Sequence, residues 1–153
     1  MMKKASEVLT ALQGKTLVTA ESLTGGGIGA ALTAVPGASA VFKGGIISYT
    51  DAVKRDMLGV PEQVLLRCGA VSADTARYMA VGARQRLQAD VAVAVTGLAG
   101  PDGDAFGNPV GTVFIGYADE KTVTVGEYRF SGDREAVRNQ TIHAAFALIL
   151  EHL

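Results

Sequence analysis

TLVTAESLTGGGIGAALTAV, residues 16–35, is the stretch that decides the fold. Residues 16–20 (TLVTA) have the short, apolar character of a buried strand, and residues 28–35 return to helical spacing before Pro36-Gly37 ends the run. Between them stand Glu21, Ser22, Leu23, Thr24 and the glycines Gly25, Gly26 and Gly27, a tight polar turn. A strand that passes through such a turn straight into a helix is the opening of an α/β unit, whose helix packs back onto the sheet.

The alternation continues outward on both sides. Upstream, residues 4–13 place Val8, Leu9 and Leu12 on one side of an amphipathic helix that stops at Gly14. Downstream, residues 44–48 (GGIIS) read as a second buried strand leading to Tyr49. Asp51 reads as the cap of a short helix holding Val53, Met57 and Leu58, and Pro61 as the start of another. Ser72 suits the N-cap of a longer helix in which Ala76, Met79, Ala80, Ala83 and Leu87 keep helical spacing. Residues 91–95 (VAVAV) form a strand of small and β-branched residues, and residues 99–109 (AGPDGDAFGNP) a loop. Residues 110–118 and 123–130 form a hairpin around Asp119-Glu120-Lys121. Asp133 caps a last helix, lined by Val137, Thr141, Ala144, Ala145, Leu148 and Ile149 and extended by Ile142, Phe146 and Leu150, which makes it largely buried. The pattern predicts one domain over residues 1–153. Its architecture is a three-layer α/β/α sandwich with a mixed, largely parallel sheet and a late β-hairpin.

Composition bounds the function. The chain has 153 residues, 48% apolar and 19% charged, enough for one well-buried domain. A net charge of −1 supplies no basic footprint for a nucleic acid. Cys68 is the single cysteine and cannot form an internal disulfide, so an oxidising compartment is not indicated. No apolar run approaches a membrane span, and Glu7 and Gln13 interrupt the N-terminal segment where a signal peptide needs an apolar stretch. The expectation is a cytoplasmic protein with no membrane or nucleic-acid partner; a homo-oligomer is left open.

In open α/β sheets ligands bind beyond the carboxyl ends of strands. Three strand exits here are polar or glycine-rich, at residues 21–27, 48–54 and 96–103, and their convergence would gather Ser22, Thr24, Tyr49, Lys54 and Thr96. Ser22 reads either as a nucleophile beside the N–H donors of a helix start or simply as a residue that caps that helix. Lys54 as a base must lose its proton, and bringing a lysine from ~10.4 to near 7 costs roughly 4–5 kcal/mol of burial or charge. His143 and His152, the two histidines, both fall in the last helix, which argues against a histidine triad or a histidine metal site. Asp102 and Asp104 read as a solvated turn, so no metal ligand set is visible. Arg134 and Arg138, four apart, read either as a phosphate clamp at a helix start or as surface arginines compensated by Asp133 and Glu135.

Read as a set, these segments resemble a known family. Residues 20–26 (AESLTGG) are similar to the AESxTGG signature of the C-terminal domain of the competence/damage-inducible CinA family, and residues 42–49 (FKGGIISY) with Lys54 to its F-x-G-G…Y…K segment. Residues 69–72 (GAVS), 96–101 (TGLAGP), 109–113 (PVGTV) and 132–138 (GDREAVR) resemble four further blocks in the family's order, spread over residues 15–145. The chain resembles the stand-alone form of the domain rather than members with an N-terminal molybdopterin-binding-like domain.

The resemblance implies a metal- and cofactor-independent enzyme of pyridine-nucleotide salvage. It would hydrolyse the carboxamide of nicotinamide mononucleotide, its small-molecule partner, to nicotinate mononucleotide and ammonia. On matching positions it implies Ser22 as nucleophile, Lys54 as proton acceptor with Tyr49 close by, and Arg134 and Arg138 toward the substrate phosphate. Thr24, Gly25, Gly26, Thr96 and Gly97 are expected around the substrate, with N–H groups near Gly25 and Gly26 holding the oxyanion. The competing readings are a nucleotide-binding module without catalysis and a related amidase acting on another amide. A purely structural interaction protein fits the polar strand exits poorly. Two departures stand out. Residues 102–108 (DGDAFGN) carry two acids and Asn108 where the family commonly has more glycine and a lysine, and Leu23 replaces a frequent small residue.

Overall fold

The computed structural model describes residues 1–153. Strands β1 (Leu17–Glu21), β2 (Phe42–Ile47), β3 (Val91–Gly97), β4 (Thr112–Ala118) and β5 (Val123–Arg129) form one mixed sheet in the order β2-β1-β3-β4-β5. β1 runs parallel to β2 and β3, and the β3-β4 and β4-β5 pairs are antiparallel. Helices α1 (Met2–Ala11), α2 (Gly27–Thr33) and α6 (Arg134–Glu151) cover one face. Helices α3 (Asp51–Leu58), α4 (Glu62–Cys68) and α5 (Ala73–Arg86) cover the other. A 3-10 turn at Ala38–Ala40, absent from the sequence reading, leads into β2. The α/β/α sandwich is therefore present. No helix is long and apolar enough to cross a membrane.

The pleat sorts β3 into two cores. Val91, Val93 and Val95 pack toward α1, α2 and α6, while Ala92 and Ala94 face α5. Small residues are required on the second side because α5 lies almost against the strands: a Cβ at Gly116 would come within 2.6 Å of the Ala76 carbonyl oxygen. Both faces being covered is why β1 and β3 read as continuous apolar runs rather than alternating ones.

The helix caps follow the sequence with one shift. Ser72 and Asp133 accept from Thr75 N and Ala136 N as expected, but the cap of α3 is Thr50, whose hydroxyl accepts from Val53 N, and Asp51 is the first helical residue. α5 fixes α3 in place. A Cβ at Gly82 would stand 1.8 Å from the Leu58 carbonyl oxygen at the end of α3, so only glycine fits. Gly82→Ala is expected to destabilise by roughly 3 kcal/mol, since the obstacle is backbone, and to lower Tm by roughly 5–10 °C. An unchanged melting curve would show that the helices can part at no cost.

All three parallel strands end at the same edge of the sheet. The chain leaves β1 for β2 through α2 on one face and goes on to β3, on the other side of β1, through α3 to α5 on the opposite face. That reversal opens a crevice above β1, and Ser22 is the first residue past it.

Candidate active site

Ser22 still belongs to the sheet by its backbone, its N–H donating to Val95 O at 3.1 Å. Lys54 lies in the first turn of α3 and is 1% exposed. Its Nζ sits 3.0 Å from Ser22 Oγ, 2.7 Å from the Ser48 carbonyl oxygen and 3.5 Å from that of Tyr49. Burial pushes the ammonium down from 10.5 to about 8, against the Asp51 carboxylate, which pulls it up. A neutral amine has two N–H groups and one lone pair. With the N–H groups on the carbonyls of Ser48 and Tyr49, the lone pair is left for the Ser22 hydroxyl, which is the arrangement a general base needs.

The turn after Ser22 is held by its own backbone and by Glu21. Gly25 N donates to Ser22 O and Gly27 N to Thr24 O. Gly25 and Gly26 sit at φ +58 and +104, which only glycine adopts freely. Glu21, 2% exposed, is the last residue of β1 rather than part of the turn. Its carboxylate accepts from the Thr24 hydroxyl, from Ile28 N at 2.8 Å and from Gly29 N at 3.0 Å. Of the donors the sequence offered to an oxyanion, Gly25 N is consumed by Ser22 O while Gly26 N keeps no partner in the protein, and Glu21 takes the Ile28 and Gly29 N–H groups further into α2. The N–H groups of Leu23 and Thr24, residues 4% and 1% exposed, have no partner in the protein. Buried, unpaired N–H groups are rare in native structures.

A cavity of about 290 Å³ opens over this turn, at the small end of the ~300–1,000 Å³ usual for ligand sites. Ser22, Leu23, Tyr49, Lys54, Thr96 and Gly97 are on its wall, and Arg134 and Asp102 add the remaining charges. The Thr96 hydroxyl donates to Ala70 O at 2.7 Å, which ties the end of β3 to the loop before α5. At Gly97 a Cβ would meet Val113 Cγ2 at 2.7 Å, so β4 lies too close for any side chain.

Several residues expected around the substrate stand elsewhere. The Thr24 side chain turns its hydroxyl into Glu21 and off the cavity wall, leaving its unpartnered backbone N–H as the one group it can offer a ligand, and Gly25 and Gly26 shape the backbone without lining the cavity. Tyr49 is 59% exposed and its hydroxyl accepts from Arg134 Nη2 at 3.2 Å. Only its backbone carbonyl reaches Lys54, so the geometry does not favour a proton relay through the phenol. Arg134 also donates to Gly100 O at 2.6 Å and so bridges the cavity wall. Arg138, one helical turn on, points instead at Leu23 O (3.0 Å) and Thr24 O (3.1 Å) and is off the wall, so the two arginines do not form a pair on one anion.

The divergent loop is ordered by its acids. The Asp104 carboxylate accepts from Phe106 N, Asn108 N and Asn108 Nδ2, and Asn108 Nδ2 also donates to Val71 O at 3.2 Å. Burial alone would push the Asp104 carboxyl up, but the hydrogen bonds from Asn108 and Phe106 outweigh it and hold it below its ordinary value. Asp104 and Asn108 thus staple the loop to the cavity wall, and Asp102 alone of the divergent stretch lines the cavity. No three His, Cys, Asp or Glu side chains converge to hold a metal ion. The sequence reading missed Glu21, the N–H groups of Leu23 and Thr24, and the carbonyl contacts of Arg138. The AES triplet was visible, but nothing in it says that the Glu21 carboxylate turns inward.

Comparison with known proteins gives a consistent result. The family profile described as CinA C-terminal domain matches residues 1–153. A CinA-like protein of Geobacter sulfurreducens is 50% identical over 129 residues, 84% of this chain but 31% of that protein. This chain thus spans about a third of the length of such relatives. A protein of Pseudomonas putida named nicotinamide-nucleotide amidohydrolase PncC is 47% identical over 135 residues, 88% of this chain and 84% of that one. Among solved structures, the competence/damage inducible protein CihA of Agrobacterium tumefaciens superposes with a TM-score of 0.95 at 40% identity, over 98% of this chain and 93% of that chain.

Proposed function

Because this chain belongs to the CinA C-terminal domain family, we propose that it is an amidohydrolase that converts nicotinamide mononucleotide to nicotinate mononucleotide and ammonia, serving pyridine-nucleotide salvage. The observation that carries the reading is the buried Lys54 Nζ, brought down to about 8 and 3.0 Å from Ser22 Oγ. A serine merely capping a helix has no use for such a partner, and here the N-cap of α2 is Gly26, with the Glu21 carboxylate taking the Ile28 and Gly29 N–H groups of its first turn.

The chemistry follows in two steps. Ser22 Oγ bonds to the carboxamide carbon as its proton passes to Lys54. The carbonyl oxygen takes the negative charge and accepts from the N–H groups of Leu23 and Thr24. The C–N bond then breaks as Lys54 returns the proton to the leaving nitrogen, releasing ammonia. Water attacks the acyl-enzyme with Lys54 again as base, freeing the carboxylate and restoring Ser22. The substrate is a zwitterion, with a pyridinium ring and a phosphate. Asp102 suits the first and Arg134 the second, the two charged side chains on the wall besides Lys54.

The direct experiment is ammonia release from nicotinamide mononucleotide, with nicotinamide, the riboside and NAD as comparison substrates. Hydrolysis of the mononucleotide well above the others is expected. Release from none of them would leave a binding module as the better reading. Arg134→Ala is expected to lower kcat/KM for the nucleotide by about one to two powers of ten, the worth of a charge-assisted bond of roughly 1.5–3 kcal/mol, and to spare the riboside. An unchanged nucleotide-to-riboside ratio would take Arg134 off the phosphate.

A further inference from the structure

We infer that Arg138 is a positioning residue for the oxyanion site: it does not touch the substrate but fixes the peptide unit that carries the Thr24 N–H directly, and the one that carries the Leu23 N–H through the Gly25 N–H bond to Ser22 O. The inference rests on the amidase reading above. Arg138 Nε donates to Leu23 O at 3.0 Å and Nη2 to Thr24 O at 3.1 Å, across 115 and 114 residues of sequence. The guanidinium is rigid and planar, so holding two consecutive carbonyls fixes two consecutive peptide planes. In a trans peptide the N–H points opposite to the C=O. With Leu23 O drawn toward α6, the Thr24 N–H of the same peptide is turned away from it. With Thr24 O drawn the same way, the Gly25 N–H closes on Ser22 O.

Three further observations separate this role from phosphate binding. Arg138 is off the cavity wall, whereas Arg134 is on it. It forms no ion pair, so its charge meets carbonyl oxygens. Gly25 approaches the guanidinium closely, a Cβ there lying 3.8 Å from Nη2, which places the arginine against the turn itself. On the other side Glu21 holds Thr24 by its hydroxyl. The turn is therefore gripped from α6 and from β1, and what remains unpaired in the buried part of it is the pair of N–H groups.

The test compares wild type, Arg138→Ala, Arg138→Lys and Arg134→Ala in two assays. One is hydrolysis of the nucleotide and the riboside. The other is the rate at which a small fluorophosphonate labels Ser22, a reaction that uses the same nucleophile and oxyanion donors but not the amide substrate. Arg138→Ala is expected to lower kcat on both substrates and the labelling rate by roughly 10²-fold, the cost of a misplaced oxyanion donor. KM and the nucleotide-to-riboside ratio stay near wild type, and added guanidinium ion recovers part of the rate. Arg138→Lys, which can reach one carbonyl but not brace both, is expected to fall in between, and it carries the test should the alanine variant fail to fold. Labelling of either folded variant within threefold of wild type overturns the inference, as does a ratio that shifts as in Arg134→Ala. Wild type that labels at Ser22 but hydrolyses no nicotinamide compound would sink the substrate reading and leave the Arg138 inference to the labelling rates.

Discussion

Ser22→Ala is expected to lower turnover by about 10⁴-fold or more, leaving what binding and oxyanion donors supply without a nucleophile. Its structural cost is small. Ser22 is 7% exposed, and the one hydrogen bond of its hydroxyl is to Lys54 Nζ, which keeps the carbonyls of Ser48 and Tyr49 as partners. The Ser22 backbone stays in the sheet through Val95 O, and the turn is held by Glu21 and Arg138, none of which involves the hydroxyl. The variant should therefore melt within about 2 °C of wild type, bind the nucleotide with a similar Kd by calorimetry, and release no measurable ammonia. Turnover within tenfold of wild type would remove Ser22 as the nucleophile, whatever its distance from Lys54.

The architecture was legible because each element carries its own punctuation: Pro36-Gly37 after α2, Ser72 and Asp133 before α5 and α6, and the VAVAV run that is β3. The boundary that mattered most was misplaced by one residue. The apolar run TLVTA puts the end of β1 at Ala20, yet Glu21 pairs with both Ile47 and Val95. An acid beside glycines looks like a turn residue, and its burial becomes favourable only when Thr24, Ile28 and Gly29 donate to it, which is tertiary information. The same limit applies to the arginines. Their spacing of four puts Arg134 and Arg138 on one face of α6, but that face spans both the cavity mouth and the back of the Ser22 turn, and spacing cannot say which is which. Lys54 was nominated by the family resemblance rather than by its neighbours. A lysine in an ordinary helical segment gives no sign in sequence that it is 1% exposed.

That burial gives the most direct test of mechanism, at Lys54. A base must be unprotonated, and with the ammonium at about 8 only about one molecule in ten is ready at pH 7. kcat/KM is therefore expected to rise about tenfold per pH unit up to a midpoint near 8. Neither histidine can account for such a limb. His143 lies within α6 and burial lowers it further below its ordinary value, while His152 stacks on Tyr117 at the far end of that helix. The same shift is written into stability. The folded-state value is depressed relative to the 10.5 of the free side chain, so between pH 8 and 10.5 the unfolded chain binds the extra proton and stability rises with pH. Below pH 8 the cost is complete, roughly 3 kcal/mol at 1.36 per unit. Wild type should gain about that much against Lys54→Met on going from pH 7.5 to 10.5 in denaturant melts, with the remaining titrations common to both. Lys54→Arg keeps the charge but cannot deprotonate in this range, and is expected to lose at least about 10³-fold in kcat, with Lys54→Met no better. The two measurements are independent, one of catalysis and one of folding, and they must agree on the same group. If Lys54→Arg kept most of the activity while the stability difference appeared as stated, the lysine would be buried and depressed yet not the base. Ser22 would then have to give its proton to something other than the only amine within reach of it.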